Sequence, residues 1–230
     1  LSAQLYPEKT VSVEIEYETK LANIWHRLGY GNNTVNLNNW YPILCHYDKT
    51  DGWLTDPYYS VGDPFVSDIA NYNVNISVDS DLIVACGADI VDKQISAETT
   101  RHCFSAMAVR DFSIIMSPAF LTETAKVGDT TITYYYFEDE NHIKNLNLAF
   151  DALNYFNNTF GTYPYATLAV VQSDFYQGGM EYPRLVMVSA GQQENSYKKA
   201  TVHEIAHQWW YALVGNDQVR NAWMDEGLAE

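Results

Sequence analysis

Positive charge is scarce in this chain: 13 Lys and Arg stand against 29 Asp and Glu over 230 residues, a formal net charge of −16. So acidic a chain is repelled by phosphate backbones and anionic lipid surfaces, which argues against nucleic-acid binding and leaves solubility as the ordinary meaning of the acidity. Cysteine is also sparse. Cys45, Cys86 and Cys103 are odd in number, far apart and form no Cys-x-x-Cys pair, so neither a disulfide framework nor a thiolate zinc site is indicated and buried thiols are expected. No apolar run reaches the roughly 18 residues that a membrane span needs, and the first residues carry no signal-peptide pattern, so this stretch reads as soluble. It starts at Leu1 and not at Met, which suggests a cut from a longer precursor and leaves the compartment unknown. Three glycosylation sequons, at Asn32, Asn75 and Asn157, are of a kind that an Asn-rich chain produces by chance and carry no weight.

What is present falls into two regions. Up to about residue 117 the hydrophobic period is two: Val11, Val13, Ile15 and Tyr17 alternate with polar residues, as do Tyr72, Val74, Ile76 and Val78. That is the pattern of strands with one wet face, and turn signals at Gly31-Asn32, Asp51-Gly52, Asp56-Pro57 and Gly62-Asp63-Pro64 punctuate it. Segments 82–88, 106–109, 112–116 and 131–137 extend the β reading, the last of them at the edge of the next region. After about residue 141 the period changes. Leu146, Ala149, Phe150, Leu153 and Phe156, spaced by three and four, make one face of a helix that Gly161 and Pro164 close. Strands are expected over 167–171 and 185–189, and a second helix over 197–214 with Val202, Ile205, Ala206, Trp209 and Leu213 inward. The expected architecture is α+β: a β-rich amino-terminal domain, partial, over 1–120, and a second unit over 121–230.

The second helix contains His203-Glu204-Ile205-Ala206-His207. Residues four apart on an α-helix stand about 40° apart around its axis and one turn up, so both imidazoles can reach one ion. Catalytic zinc takes three protein ligands from nitrogen and oxygen donors and leaves a fourth position to water. Glu226, after eighteen intervening residues and within Trp223-Met224-Asp225-Glu226-Gly227, can return on the following helix as the third ligand. Glu204, next to the ligands but not one of them, is the candidate general base for a metal-activated water. His26, His46, His102 and His142 have no such spacing and read as structural.

Upstream, Gln177-Gly178-Gly179-Met180-Glu181-Tyr182-Pro183 joins two of the expected strands, and its glycines let the backbone pass close to a ligand. Together with the zinc motif some twenty residues on, this loop resembles the Gly-x-Met-Glu-Asn exopeptidase motif of the gluzincin aminopeptidases, the family of aminopeptidase N and leukotriene-A hydrolase. Phe160-Gly161-Thr162-Tyr163-Pro164-Tyr165 and Asn39-Trp40-Tyr41-Pro42 are similar to further family segments. The resemblance implies that 121–230 is the first part of a thermolysin-like catalytic domain. It also implies that Zn2+ is held by His203, His207 and Glu226, and that Glu181, with Gly178, Gly179 and Met180, binds the free amino terminus of a peptide. Such an enzyme removes amino-terminal residues by metal-activated water attack.

Two positions depart from the family pattern: Tyr182 stands where Asn is usual, which bears on the pocket for the substrate's first side chain, and Asp225 precedes the third ligand, where it reads as a helix-start residue. Glu230 reads as a solvated charge. The family's oxyanion-stabilising tyrosine lies downstream of the third ligand, and none of this chain's 18 tyrosines follows Glu226. On that ground the isolated piece is expected to be weakly active or inactive. The rival readings are a thermolysin-type endopeptidase, against which Glu181 argues, and a non-catalytic peptide-binding module, against which the intact ligand set argues.

Overall fold

A computed structural model describes residues 5–63 and 66–230. Leu1, and Pro64 of the expected turn at 62–64, lie outside the described residues. The α+β expectation holds. Among the described residues the first region contains nine strands: β1 (Leu28–Tyr30), β2 (Val35–Leu37), β3 (Tyr47–Asp48), β4 (Gly52–Trp53), β5 (Ala70–Asp79), β6 (Ile83–Cys86), β7 (Asp89–Ile95), β8 (Thr99–Val109) and β9 (Ile114–Ser117). They form sheets in the orders β1-β2-β9-β6, β5-β8-β7 and the β3-β4 hairpin. On β5 the period of two decides the packing, since Tyr72, Val74, Ile76 and Val78 turn toward Phe104, Ala106, Phe112, Ile114 and Met116 while Asn73, Asn75 and Ser77 face water. Asp111 is buried beneath this core. It accepts from the Asn39 amide at 2.7 Å, the Tyr41 hydroxyl at 2.6 Å and the Phe112 N–H at 2.7 Å, so the Asn-Trp-Tyr-Pro segment serves to satisfy a carboxylate. Burial still outweighs these donors and pushes Asp111 up to about 6.

The strand expected at Val11, Val13, Ile15 and Tyr17 is not there: these side chains are exposed and the segment pairs with no strand among the described residues. Alternation yields a strand only where a second backbone offers hydrogen-bond partners. The cysteine expectation also needs correction, because Cys45 is exposed and Cys86 and Cys103 are half-buried, all three being free thiols.

The second region is one mixed sheet with helices. It comprises β10 (Leu121–Val127), β11 (Thr130–Tyr136), α1 (His142–Phe160), β12 (Thr167–Ser173), β13 (Gly179–Met180), β14 (Leu185–Ser189), α2 (Glu194–Ala206), a 3-10 turn (Ala222–Met224) and α3 (Glu226–Ala229), with strand order β10-β11-β12-β14-β13. Strand 131–137 of the expectation is β11 and belongs here. β11, β12 and β14 run parallel, β10 and β13 antiparallel to their neighbours, and α1 makes the crossover from β11 to β12. The central strands β12 and β14 are buried on both faces, which explains their unbroken apolar runs. One face packs under α1 and α2 through Leu146, Leu153, Val170, Val188, Ile205 and Trp209. The other carries Val171, Phe175, Met180, Tyr182 and Met187 against Ala85, Ile115 and Phe120. Each fully buried side chain of this size contributes about 1.5–3 kcal/mol.

The helix expected over 197–214 begins and ends earlier. After Ala206 the chain continues in wide turns, with Ala212 N–H donating to the His207 carbonyl at 3.0 Å and Val214 N–H to that of Trp209 at 2.8 Å, and Tyr211 has φ 140°. Residues two apart point about 200° apart on an α-helix, yet Trp209 and Tyr211 are both buried, and the wider turns bring both inside. The histidine spacing survives, because the His207 N–H still donates to the His203 carbonyl at 3.2 Å.

Candidate metal centre and substrate cavity

His203 lies on the last turn of α2 and His207 caps it, while Glu226 opens α3. Their tips converge. The two Nε2 atoms are 3.0 Å apart, and Glu226 Oε2 is 3.3 Å from that of His203 and 3.8 Å from that of His207. In a tetrahedral zinc site, ligand atoms about 2.0–2.2 Å from the metal stand about 3.3–3.6 Å from one another, so this triangle suits such an ion. The tautomer is settled by the second nitrogen of His207: Nδ1 is 2.9 Å from the Trp210 carbonyl, which only accepts, so the proton sits there and the Nε2 lone pair faces the triangle. The Glu226 hydrogen bond raises His203 despite its partial burial, whereas burial lowers His207. Glu226 is held below the usual carboxylate range by the same His203 bond.

The triangle opens on a cavity of about 920 Å³ lined by Gln177, Gly178, Gly179, Met180, Glu181 and Glu204 on one side and Arg27 and Asp63 of the first region on another. Glu181 and Glu204 are buried, and both are raised well above the ordinary carboxylate value, first by desolvation and then by the other carboxylates around the cavity. Glu204 Oε2 has no hydrogen-bond partner, an arrangement that costs about 1–3 kcal/mol in a merely structural group. Gly179 makes room for it: a Cβ there would overlap the Glu204 carboxylate and stand 2.6 Å from its Cγ. Several buried acids around one cavity, with two inward imidazole nitrogens, form a donor set short of positive charge, which a divalent cation and a substrate ammonium would supply.

Residues 144–230 match the family model described as the Peptidase family M1 domain. The match spans 87 of the chain's 230 residues. No curated protein sequence matches the chain. Among solved structures, a two-domain M1 zinc metallopeptidase, in a mutant form bound to L-arginine, is similar with a TM-score of 0.58 and 19% identity over 72% of this chain. The chain spans 40% of that structure's length, and the likeness bears on the fold.

Within the matched segment the departures take definite places. Tyr182 is fully buried in the core beneath the sheet, its hydroxyl 3.4 Å from Asn39 Oδ1, and it does not line the cavity; Met180 does. Asp225 holds the N-cap position of α3 but makes no side-chain cap bond. It stands at the helix start as expected, while its carboxylate accepts from Asn216 Nδ2 at 2.9 Å and Gln218 Nε2 at 2.7 Å. Glu230 is exposed at the cavity's edge. His26, His46, His102 and His142 join none of the metal-capable groups found among the described residues.

No signal in the sequence marks two buried amides. Gln208 accepts from the Arg184 N–H at 2.8 Å and donates to the Tyr182 carbonyl at 3.1 Å, clasping the loop that carries Glu181 to the end of the histidine helix. Gln218 donates to Glu181 at 3.1 Å as well as to Asp225. Neutral amides have no diagnostic spacing, and nothing linear pairs position 208 with 182 or 218 with 181. Arg27 and Asp63, ion-paired at 2.5 Å across 36 positions of sequence, likewise have no local pattern that links them.

Proposed function

We propose that the chain is part of a zinc aminopeptidase whose β-rich first region, over 1–120, closes one side of the substrate cavity of a catalytic unit over 121–230. The observation that carries the reading is that His203, His207 and Glu226 converge within 3.8 Å at a cavity also lined by Glu181 and Glu204. A zinc ion held by those three ligands would polarise a peptide carbonyl and lower the pKa of a bound water toward about 7. Glu204, whose burial raises its affinity for a proton, would as the carboxylate take a proton from the attacking water and return it to the leaving amine. Glu181 binds the substrate's α-ammonium, so only the first peptide bond comes into register. β13, the edge strand of its sheet, offers the backbone of Gly179 and Met180 to the extended substrate. The L-arginine bound by the similar M1 metallopeptidase carries a free α-ammonium, which supports an amine-reading site.

The test compares alanyl-alanine with N-acetyl-alanyl-alanine on the zinc-loaded chain, by calorimetric binding and by hydrolysis. Preference for the free amine, abolished by Glu181→Gln, is expected. Equal affinity for the two peptides would replace this reading with that of an endopeptidase.

A further inference from the structure

Glu181 and Glu226 come from different parts of the chain, and their separation decides where a bound amino terminus leaves the first peptide bond. One side chain spans the gap between their supports. Gln218 is 4% exposed, and its single amide nitrogen donates one hydrogen to Glu181 Oε1 at 3.1 Å and one to Asp225 Oδ2 at 2.7 Å. Asp225 is the residue before Glu226, and its other oxygen accepts from Asn216 Nδ2 at 2.9 Å. The backbone of the same aspartate starts α3, since its carbonyl accepts from Ala229 N–H at 3.0 Å. Moving the Asp225 carboxylate therefore moves Glu226 with it.

We infer that Gln218 is a positioning residue that fixes the amine-binding carboxylate and the third metal ligand relative to each other, so that one amide couples amino-terminus recognition to metal affinity. The inference rests on the functional reading above. An amide suits this place because it is neutral and offers two donors, whereas Lys would add a charge to compete with the substrate's ammonium and Glu would repel both carboxylates. Its removal leaves two buried carboxylates each short of a donor, free to reorient.

Three quantities on purified chain test the inference: the zinc Kd by competition with a chromophoric chelator, the ratio of Kd values for N-acetyl-alanyl-alanine and alanyl-alanine on the zinc-loaded chain, and the thermal midpoint of the metal-free chain. Wild type, Gln218→Leu, Glu181→Gln and the double variant form a cycle. Gln218→Leu is expected to weaken zinc about 10-fold or more, as loss of an outer-shell partner does, and to reduce the peptide ratio about fivefold. In the Glu181→Gln background it should leave the peptide ratio unchanged while still weakening zinc, a pattern that a general loss of packing would not give. Should Gln218→Leu not fold, Gln218→Asn, which keeps the amide on a stem too short to reach both partners, reads the same quantities.

Unchanged zinc affinity and peptide ratio in Gln218→Leu, or a change in peptide ratio that simply adds to that of Glu181→Gln, overturn the inference alone. Wild-type chain that takes up no zinc overturns the functional reading and the inference with it.

Discussion

Gln208 is the side chain through which the histidine helix holds the Glu181 loop, and its replacement by leucine has a consequence that can be worked out. The amide is fully buried and serves two backbone groups that have nowhere else to turn, the Arg184 N–H at 2.8 Å and the Tyr182 carbonyl at 3.1 Å. Leucine is close in volume, so the change creates little cavity, and the cost comes from the two orphaned groups at about 1–3 kcal/mol each. A total of about 2–6 kcal/mol corresponds to a fall in Tm of roughly 4–24 °C for a chain of this length. Urea unfolding should show a lower midpoint at an unchanged slope, since the native surface is unaltered. Zinc uptake should survive, because neither imidazole touches the amide, but preference for a free amine should weaken as the backbone next to Glu181 loosens. Stability within about 0.5 kcal/mol of wild type would refute the claim that this clasp holds the loop.

Further outcomes follow from the same coordinates. Gly179→Ala must displace the Glu204 side chain, because its Cβ would lie 2.6 Å from Glu204 Cγ where ordinary contact begins at 3.4 Å, a shift of about 0.8 Å (3.4 − 2.6). Zinc content should stay at the wild-type level while any peptide hydrolysis falls by about two orders of magnitude, and retained turnover would speak against Glu204 as the base. His102 is buried with neither ring nitrogen hydrogen-bonded, and burial, then Lys93, lowers its pKa below 6.5. The unfolded chain therefore takes up the proton first, and the contribution of His102 to stability is lost as pH falls below 6.5 and through its lowered native value. His102→Phe should lose less stability than wild type between about pH 7.5 and about pH 5.5 in urea unfolding. Arg184→Lys should cost about 1–3 kcal/mol, because lysine cannot reproduce the fork that bonds both Asp89 oxygens and Thr167 Oγ1 beneath the Tyr165 ring.

How much was legible in the sequence follows the range of the interactions. Periodicity located β5, α1, β12 and β14, since each presents a continuous face to one core. It failed at 11–17, where alternation lacks a partner strand, and at 207–214, where two buried aromatic residues on opposite sides forced the helix open. The metal triangle was readable because an i, i+4 histidine pair fixes its own geometry and Glu226 lies in a recognisable segment. Gly179 was read as a site of close backbone approach, and the group it admits proved to be Glu204. The amides of Gln208 and Gln218, the Trp210 carbonyl behind His207 and the Arg27–Asp63 pair depend on contacts between segments distant in sequence, and no local pattern announces them.

Metal analysis tests the central claim most directly. Purified chain, loaded with zinc and passed through a desalting column, should retain about one zinc by native mass spectrometry, and His203→Ala should retain none while keeping its fold by circular dichroism. Wild-type chain without zinc, or a folded His203→Ala chain with as much zinc as wild type, would contradict the convergence of His203, His207 and Glu226 on one ion.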